Sequence, residues 1–408
     1  MAADATKIEN AAPVTDISTI TTTPRPFRVL HLMLEAAWGG LSRYVIDLSN
    51  AMALQGVESI VAADDGEWRS KFDGAHLKFV QVPLLREKFF YAQSRAIIHR
   101  ALDGRPVDLI HTHYRRATRL ARKLRLSAVR SHPGLKHPAC VPILYTLHLS
   151  HINMRFPRNL FTDFGDHTHI ASEDARRWCM DVGKVPNDHI TCIPHGVDVN
   201  RFSFADATTK SIARRSLELA DDDLVAAFVG RLEAPKNEMW LLDLAAASKA
   251  QLPKLKILMA GDGPNMPLLR DRIDSENLHD RVRLLGEINP VPLYHAADAL
   301  LLPSLREGFS LVCAEAMACG VPVLRTKTTG MSETIIENLT GRSTPIDHDA
   351  FINAAIEFLS HQDRLHEMGI AAAAHIRRHY TYDQQVKRTL DMYLSLSGYS
   401  GRGSNDAN

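Results

Sequence analysis

Residues 305–324 have the sequence LREGFSLVCAEAMACGVPVL, which places two glutamates, Glu307 and Glu315, eight positions apart. Glu307 precedes a Gly-Phe-Ser step, whereas Glu315 lies in an apolar segment typical of a helix that ends at Gly320. On a single helix, eight residues would separate the two carboxylates by about 12 Å. A hydrolytic pair of carboxylates needs about 5–9.5 Å. The spacing therefore disfavours a hydrolase and favours two carboxylates that bind different parts of one elongated ligand.

The composition is that of an ordinary globular protein, with 408 residues, 45% of them hydrophobic and 23% charged, and a net charge of +1. This length predicts two domains. Five cysteines without a short Cys-x-x-Cys pair indicate a reducing compartment. Residues 1–25 lack the apolar core of a signal peptide, and the longest uncharged stretch, 137–154, is broken by prolines and histidines. We therefore expect a cytoplasmic protein.

Short apolar runs alternate with helical patterns from Phe27 onward, and several runs are apolar on both faces, as buried parallel strands are. A Pro/Gly turn at residues 192–202 interrupts the alternation, which then restarts. The pattern predicts an α/β fold of two Rossmann-like, doubly wound domains that face each other across a cleft. The predicted divisions are a disordered leader (1–25), an N-terminal domain (26–195), a C-terminal domain (196–375), a final helix (376–398) and a disordered tail (399–408).

Glycines follow the first predicted strand in the sequence WGG, which comprises Trp38, Gly39 and Gly40. Without Cβ atoms the backbone can approach a ligand closely, and the following helix offers free N–H groups to an anion. A tight turn is the alternative interpretation. The motif is neither a dinucleotide fingerprint nor a P-loop.

Two cations, Arg231 and Lys236, lie at a strand-to-helix junction in FVGRLEAPKN. An arginine fork and a lysine point charge together suit a diphosphate, although solvated surface charge is the alternative. The nearby MAGDGP is more simply a turn. Hydroxyl-binding carboxylates on either side of a helix start, with cations nearby, suit a ligand that has hydroxyls at both ends and phosphate in the middle. A nucleotide sugar has this chemistry.

Histidines end two predicted strands, with His111 and His113 in HTH and His148 and His151 in TLHLSH. Catalytic zinc requires three protein ligands and an open position. The sequence contains no HExxH motif, and no carboxylate lies between residues 108 and 163 to complete such a site. We therefore expect no metal and no cofactor. His148 is the candidate for contact with substrate. For His111, a structural role is as consistent with the sequence as contact with substrate.

The order and spacing of these motifs resemble those of the retaining GT-B glycosyltransferases of family four, the group with the E-x7-E motif. The resemblance runs from about residue 27 to the final helices, and its most specific part is EGFSLVCAEAMACGVPV. It implies transfer of a hexose from a nucleotide-diphosphate sugar to a glycan or lipid-linked acceptor, in the assembly of a cell-surface polysaccharide or lipopolysaccharide. Retention by front-face attack, without a bound metal, is part of that expectation. The final helix would cross back to the first domain.

The resemblance also implies roles for individual residues. Glu307 would contact hydroxyls of the donor hexose, and Glu315 those of the ribose. Backbone groups of the loop and helix start would hold sugar and phosphate; these belong to Gly308, Phe309, Ser310, Leu311 and Val312.

The remaining implied contacts concern the diphosphate, the sugar and the base. Arg231 and Lys236 would neutralise the departing diphosphate, which Gly39 and Gly40 would approach from the first domain. His148 would lie near the donor sugar. The segment from Leu285 to Ile288 would line the base pocket.

The sequence departs from the family pattern at several loop positions. His195 stands where asparagine is usual, and Asn237 where glycine is common. Arg325 stands where a small residue is normal, Thr329 where glycine is normal, and Ser332 where proline is normal. These changes leave the donor sugar open.

Ten Lys/Arg residues and no acidic residue lie between residues 108 and 163. Four of them recur at helical spacing opposite an apolar face: Arg115, Arg119, Arg122 and Arg125. This face is expected to meet an anionic membrane or a phosphorylated lipid-linked acceptor, which would make the protein peripheral at the inner face of the membrane. A solvated outer helix is the alternative. Nucleic-acid binding is not expected, since no aromatic platform accompanies the arginines.

Two other classes of function remain open at this stage. A GT-B phosphorylase or a nucleotide-sugar epimerase would depend on inorganic phosphate, or would convert a sugar nucleotide without an acceptor. A non-catalytic nucleotide-binding subunit would keep the nucleotide site and lose the acceptor site.

Overall fold

The computed structural model describes residues 26–37, 39–87, 89–131, 141–148, 154 and 162–398. The predicted leader (1–25) and tail (399–408), together with Trp38 and His151, lie outside these residues. The described chain forms two parallel sheets, each covered by helices. The predicted α/β fold with two Rossmann-like domains is confirmed.

The first sheet has seven strands in the order β3-β2-β1-β4-β5-β6-β7. Their bounds are β1 (Phe27–Glu35), β2 (Val57–Asp64), β3 (Lys78–Gln81), β4 (Leu109–Thr112), β5 (Ile143–Leu147), β6 (His167–Ile170) and β7 (Ile190–Cys192). Every neighbouring pair is parallel. The helices of this half are α1 (Gly40–Leu54), α2 (Arg69–Asp73), α3 (Ala92–Leu102), α4 (Arg115–Ser131) and α5 (Glu173–Asp181).

The second sheet has six parallel strands in the order β10-β9-β8-β11-β12-β13. Their bounds are β8 (Leu224–Val229), β9 (Leu255–Ala260), β10 (Val282–Gly286), β11 (Ala299–Leu302), β12 (Val323–Thr326) and β13 (Gly341–Thr344). The helices are α6 (Ala207–Ser216), α7 (Met239–Ala247), α8 (Met266–Ser275), α9 (Val291–Ala296), α10 (Leu311–Ala318), α11 (Met331–Thr334), α12 (His348–Leu359), α13 (Gln362–His379) and α14 (Tyr382–Ser397).

The central strands are apolar on both faces because helices cover both sides of each sheet. All five residues of β5 and all four of β11 are buried. Burial on both faces explains why these segments are continuous apolar runs rather than alternating ones. The two short edge strands β7 and β13 carry polar residues such as Thr191 and Ser343, and so their sequences gave no strand signal.

The chain crosses between the two halves twice, and the two crossings pair with each other. Val197, in the first crossing, donates to the carbonyl of Tyr380 and accepts from the amide of Tyr382, at 2.8 and 2.9 Å. Helix α14 then packs on the first sheet, where Val386 and Leu390 share a core with Phe27. The Tyr393 hydroxyl lies within hydrogen-bonding distance, 2.7 Å, of His111 Nδ1 in β4, which adds a polar contact between α14 and this sheet.

No helix in the described part of the chain is long and apolar enough to cross a membrane.

Candidate functional site

The carboxyl ends of both sheets open into one cavity of about 780 Å³. Ligands of open α/β sheets bind at such strand ends. Most of the predicted site residues line it, namely Gly39, Gly40, His148, Arg231, Lys236, Glu307, Gly308, Phe309, Ser310, Leu311 and Val312. These residues come from four separate segments that follow β1, β5, β8 and β11, and the fold alone brings them together.

An ion pair lines this cavity, hereafter the larger cavity, on the side of the second domain. Lys236, just after β8, places its Nζ 2.7 Å from Glu307 Oε1, and the Ser304 hydroxyl donates to the same oxygen at 2.7 Å. The Glu307 side chain is only 8% exposed and that of Lys236 21%. Because two donors hold one oxygen of Glu307, the other oxygen is left to accept from a ligand.

Arg231 lines the same side of the cavity and is more exposed to solvent than Lys236. Its Nε is 3.2 Å from a carboxylate oxygen of Glu233, and both side chains are more than a third exposed. An exposed pair of this kind contributes little to stability. The guanidinium can therefore turn from Glu233 towards an anionic ligand at small cost.

Close backbone approach shapes the loop between the two glutamates. A Cβ on Gly308 would lie 2.7 Å from the carbonyl oxygen of His148, across the cleft. Ser310 adopts a left-handed conformation (φ 60°) and begins α10. From the other side, Gly39 (φ 139°) precedes the first residue of α1, with no side chain capping the helix. Two helix starts with free N–H groups thus face one cavity, as an anion site requires.

Glu315 lies in a second, smaller cavity of about 400 Å³. Tyr44, His195 and Leu311 line both cavities, so the two spaces adjoin. Burial raises the pKa of Glu315 from 4.5 to about 6, although Arg43, a hydrogen bond from Tyr294 and Arg201 act in the opposite direction. The Tyr294 hydroxyl donates to Glu315 Oε2 at 3.1 Å.

Leu285 and Ile288, which we predicted in the base pocket, line neither cavity. Leu285 packs against the second-domain core, and Ile288 is 38% exposed. The next residue, Asn289, has its side-chain oxygen 3.5 Å from the guanidinium of Arg201, which lines the smaller cavity. Arg201 therefore stands between the smaller cavity and this loop.

Histidines form a buried, hydrogen-bonded group behind the larger cavity. His31 Nδ1 lies 3.2 Å from His113 Nε2, and His113 Nδ1 lies 3.1 Å from His148 Nε2. Burial lowers the pKa of His31 to about 3 and holds the pKa values of His113 and His148 well below 6.5. All three rings are therefore neutral at physiological pH.

The nitrogens of His31, His111 and His113 lie within 4.8 Å of one another, close enough for a metal ion. Most of these nitrogens already have protein partners. His111 Nδ1 bonds to Tyr393 and its Nε2 to Thr146, at 2.7 and 2.6 Å. Of the three rings, only His31 Nε2 has no partner among the described residues. The geometry therefore supports a hydrogen-bonded cluster better than a set of ligands.

The basic face that we predicted on α4 is partly neutralised. Arg122 pairs with Asp163 at 2.9 Å and also with Asp166, and Arg125 pairs with Asp166 at 2.6 Å. These two aspartates lie just beyond the acid-free stretch, and the turn before β6 brings them back against α4. Arg122 and Arg125 therefore contribute less free positive charge to this face than the sequence indicated, and the contact of the four arginines with a membrane or an acceptor stays a prediction. Arg115 lines the larger cavity.

Three site residues escaped the sequence-based prediction, although each carried a weak signal. His195 was noted as a departure; it is buried between Tyr44 and Phe309, and its Nδ1 has no partner among the described residues. Tyr44 lies one turn after the glycines. His113 belongs to the strand-end HTH.

Asn237 adopts φ 52°, which explains why a residue tolerant of the left-handed region stands there.

Two family models match the chain, one for each half. Residues 38–201 match Glycosyltransferase Family 4, and residues 209–375 match Glycosyl transferases group 1. The boundary between the two matches coincides with the first crossing of the chain between the sheets.

Named relatives and solved structures agree with these matches. The D-inositol 3-phosphate glycosyltransferase of Corynebacterium urealyticum is 28% identical over 311 residues, 72% of each chain. The lipopolysaccharide core mannosyltransferase LpsB of Rhizobium meliloti is 29% identical over 221 residues, 52% of this chain and 62% of that protein. Several further relatives are matched over about half of their length.

The structure of Anabaena HepE in complex with UDP and glucose superposes with a TM-score of 0.75 at 20% identity, covering 90% of this chain and all of that one. This likeness concerns the fold. One family model matches each half, so the chain contains a Glycosyltransferase Family 4 domain followed by a Glycosyl transferases group 1 domain, and its two-sheet fold is similar to that of HepE.

Proposed function

We propose that this glycosyltransferase moves a hexose from a nucleotide-diphosphate sugar to a glycan or lipid-linked acceptor with retention of anomeric configuration. The observation that carries the proposal is the pair of adjoining cavities, of about 780 and 400 Å³, with Glu307 in one and Glu315 in the other. A nucleotide sugar is long enough to occupy both. Its hexose and diphosphate belong in the larger cavity and its nucleoside in the smaller one.

The polar groups of the two cavities suit the parts of such a donor in order. Lys236 and Arg231 face the diphosphate together with the amides at the starts of α1 and α10. The oxygen of Glu307 that Lys236 and Ser304 leave unused accepts from a hexose hydroxyl. The buried Glu315 accepts from the ribose hydroxyls, next to Arg201.

Retention is supported by the carboxylates of the larger cavity. Among its described lining residues, the carboxylates are Glu233 and Glu307, and each is ion-paired with a neighbouring cation. A paired carboxylate is a poor nucleophile, so we propose that the acceptor attacks on the face from which the phosphate departs. The anomeric configuration of the product, measured by NMR with a donor of known configuration, tests this step; an inverted product would contradict it.

We further propose that transfer needs no bound metal. Lys236, Arg231 and two helix starts can take up the charge that develops on the departing diphosphate. Removing one such group typically costs a factor of about 10²–10³ in turnover. Turnover that survives chelation of divalent ions supports the proposal, and turnover restored only by an added metal contradicts it.

The donor base can be identified by ligand-induced stabilisation. We expect one of UDP, GDP and ADP, with its hexose conjugates, to raise the thermal midpoint in the absence of divalent metal. A ligand at about a hundred times its dissociation constant adds about 2.7 kcal/mol, equivalent to several degrees. HepE was crystallised with UDP, which makes UDP and UDP-glucose the first ligands to test.

The thermal screen and turnover assays together separate the competing functions. No shift with any nucleotide would contradict the proposed donor site and favour a subunit without catalysis. Turnover that requires inorganic phosphate would favour a phosphorylase, and conversion of a sugar nucleotide without an acceptor would favour an epimerase. The relative LpsB is named for lipopolysaccharide core biosynthesis, which supports a cell-surface glycan as the acceptor.

We propose that an aromatic–basic surface, formed by Phe89, Phe90, Arg116 and Arg119, contacts an anionic membrane from the cytoplasmic side. Phe89 and Phe90 are 69% and 78% exposed. Burial raises the pKa of the adjacent Tyr91, and the charges of Arg119 and Arg116 oppose that rise, which places both arginines near Tyr91, the residue that follows the two exposed rings in sequence. Apolar rings beside cations suit an anionic interface.

Replacing Phe89 and Phe90 together by serine should weaken binding to anionic vesicles about tenfold or more, because each buried phenylalanine contributes about 1.5–3 kcal/mol. Sedimentation with phosphatidylserine vesicles measures the loss, and neutral vesicles show whether charge contributes. Ile212→Ser, which removes another exposed apolar side chain (56% exposed), is the matched control. Equal binding by the double variant and the control would remove this surface from the proposal.

A further inference from the structure

The three histidines behind the larger cavity are joined in one direction. His31 contributes Nδ1 to its bond with His113 Nε2, and His113 contributes Nδ1 to its bond with His148 Nε2. At the inner end, His31 Nε2 is buried without a partner among the described residues. At the outer end, His148 lines the cavity, and its Nδ1 has no described partner. The chain therefore runs from the core of the first domain to the proposed hexose site.

Neutral imidazole places a constraint on such a chain. Each ring has one N–H donor and one bare nitrogen that accepts, and the hydrogen bond made by one nitrogen decides which is which. Burial lowers the pKa of all three rings, so a doubly protonated ring does not relax the constraint. Since both bonds join an Nδ1 to an Nε2, the three rings must all carry the proton on Nδ1 or all on Nε2. A mixed set would oppose two donors or two lone pairs at a buried contact.

Packing fixes the orientation of the last ring. His148 stacks on His195 with the ring centres 6.3 Å apart and the planes 6° apart. The Tyr44 ring meets His148 edge-on at 5.3 Å. A ring that cannot turn over presents the same nitrogen, Nδ1, to the cavity in every molecule.

We propose that His113, supported by His31, is a positioning residue that holds His148 in a single tautomer, so that Nδ1 offers one fixed hydrogen-bonding role to the bound hexose. This proposal rests on the proposed donor site only for the identity of the group that His148 meets. The tautomer itself belongs to the free protein. A hexose hydroxyl can donate or accept, so the fixed role of Nδ1 decides which of the two this hydroxyl does there and leaves its other role for a neighbouring group.

The test is the nitrogen NMR spectrum of the histidine rings in the ligand-free protein at neutral pH. We expect His31, His113 and His148 each to show one protonated and one bare ring nitrogen, with the proton on the same kind of nitrogen in all three. Averaged signals from His148 in the parent protein, or different tautomers within the chain, would overturn the proposal. A metal ion retained at one per chain, and lost on replacing His31, would also overturn it, because a metal would occupy the lone pairs.

Two variants of one residue separate positioning from packing. In His113→Asn, the side-chain amide can place either its nitrogen or its oxygen where Nδ1 was, so it can still bond to His148. In His113→Leu this bond is lost. Because this amide can pair with either tautomer of His148, we expect averaged ring nitrogens in both variants, with the hydrogen bond to His148 kept only in the asparagine variant. A single tautomer of His148 in either variant would contradict the assigned role, because something other than His113 would then fix the proton.

Activity provides the second reading of the same variants. With the donor nucleotide that the thermal screen identifies, His113→Leu should lower turnover about tenfold to a hundredfold, with the KM for the donor changed much less. His113→Asn, which keeps a bond to His148 but does not fix its tautomer, should recover only part of that loss. Because the spectrum needs no substrate, a protein with fixed tautomers and no transferase activity would contradict the proposed function alone, whereas averaged tautomers in an active enzyme would contradict this inference alone.

Discussion

Replacing Lys236 by alanine should lower turnover by about a hundredfold to a thousandfold, the range seen when one preorganised charge-stabilising group is removed. The structure adds a second reason for a large loss. Lys236 also holds Glu307 at 2.7 Å, and without it the buried carboxylate keeps only the Ser304 hydroxyl on that oxygen. Both the phosphate and the hexose end of the donor site are therefore disturbed by one change.

Steady-state kinetics with the identified donor measure this loss, and thermal unfolding shows whether the variant is folded. Lys254→Ala is the matched control, because it removes an ion-paired but exposed lysine of the same domain, whose partner is Asp222. Lys236→Arg, which keeps the charge but replaces the compact ammonium with a larger planar guanidinium, should have a turnover between those of Lys236→Ala and the control. Near-normal turnover in Lys236→Ala would remove this residue from the mechanism.

Replacing Glu315 by glutamine should stabilise the free protein and weaken nucleotide binding in the same variant. Glutamine can still accept from Tyr294, but it carries no charge into the interior. The raised pKa of Glu315, about 6 instead of 4.5, corresponds to about 2 kcal/mol of destabilisation when the group is ionised. Charge-assisted bonds to two ribose hydroxyls are each worth about 1.5–3 kcal/mol, so we expect at least a hundredfold loss of nucleotide affinity.

The gain in stability should depend on pH in a defined direction. Folded Glu315 binds its proton more tightly than the unfolded chain does, so ionisation costs stability as pH rises from about 4.5 to about 6, and the full cost is present above that range. The difference in unfolding free energy between Glu315→Gln and the parent should therefore be largest at pH 7 and should shrink at pH 5. A variant less stable than its parent at pH 7 would contradict the burial cost assigned to Glu315.

Much of the architecture was predictable because buried parallel strands leave a strong signal. The apolar runs that became β5 and β11 needed no long-range information. The pairing of Glu307 with Lys236 was not predictable in the same way. Seventy-one positions separate the two residues, and only the order of strands in the second sheet shows that the ends of β8 and β11 are neighbours.

Other features depended on acids and rings that are distant in sequence. The cationic face of α4 was overestimated because Asp163 and Asp166 return to it from the turn before β6. The histidine chain joins three different strand regions through His31, His113 and His148, and sequence spacing contains no signal for it. Sequence reasoning thus predicted single motifs but could not predict which distant residues each motif would contact.

Helix α14 has a consequence for how the polypeptide matures on the ribosome. The core of the first domain contains Phe27 near the start of the chain and Tyr393 near its end, with their rings stacked 6.5 Å apart. The second domain is complete in sequence before α14 is synthesised, whereas the first lacks one side of its core until then. Of the two domains, the one that is translated earlier should therefore be the later to finish folding, with apolar surface exposed to chaperones until α14 is made.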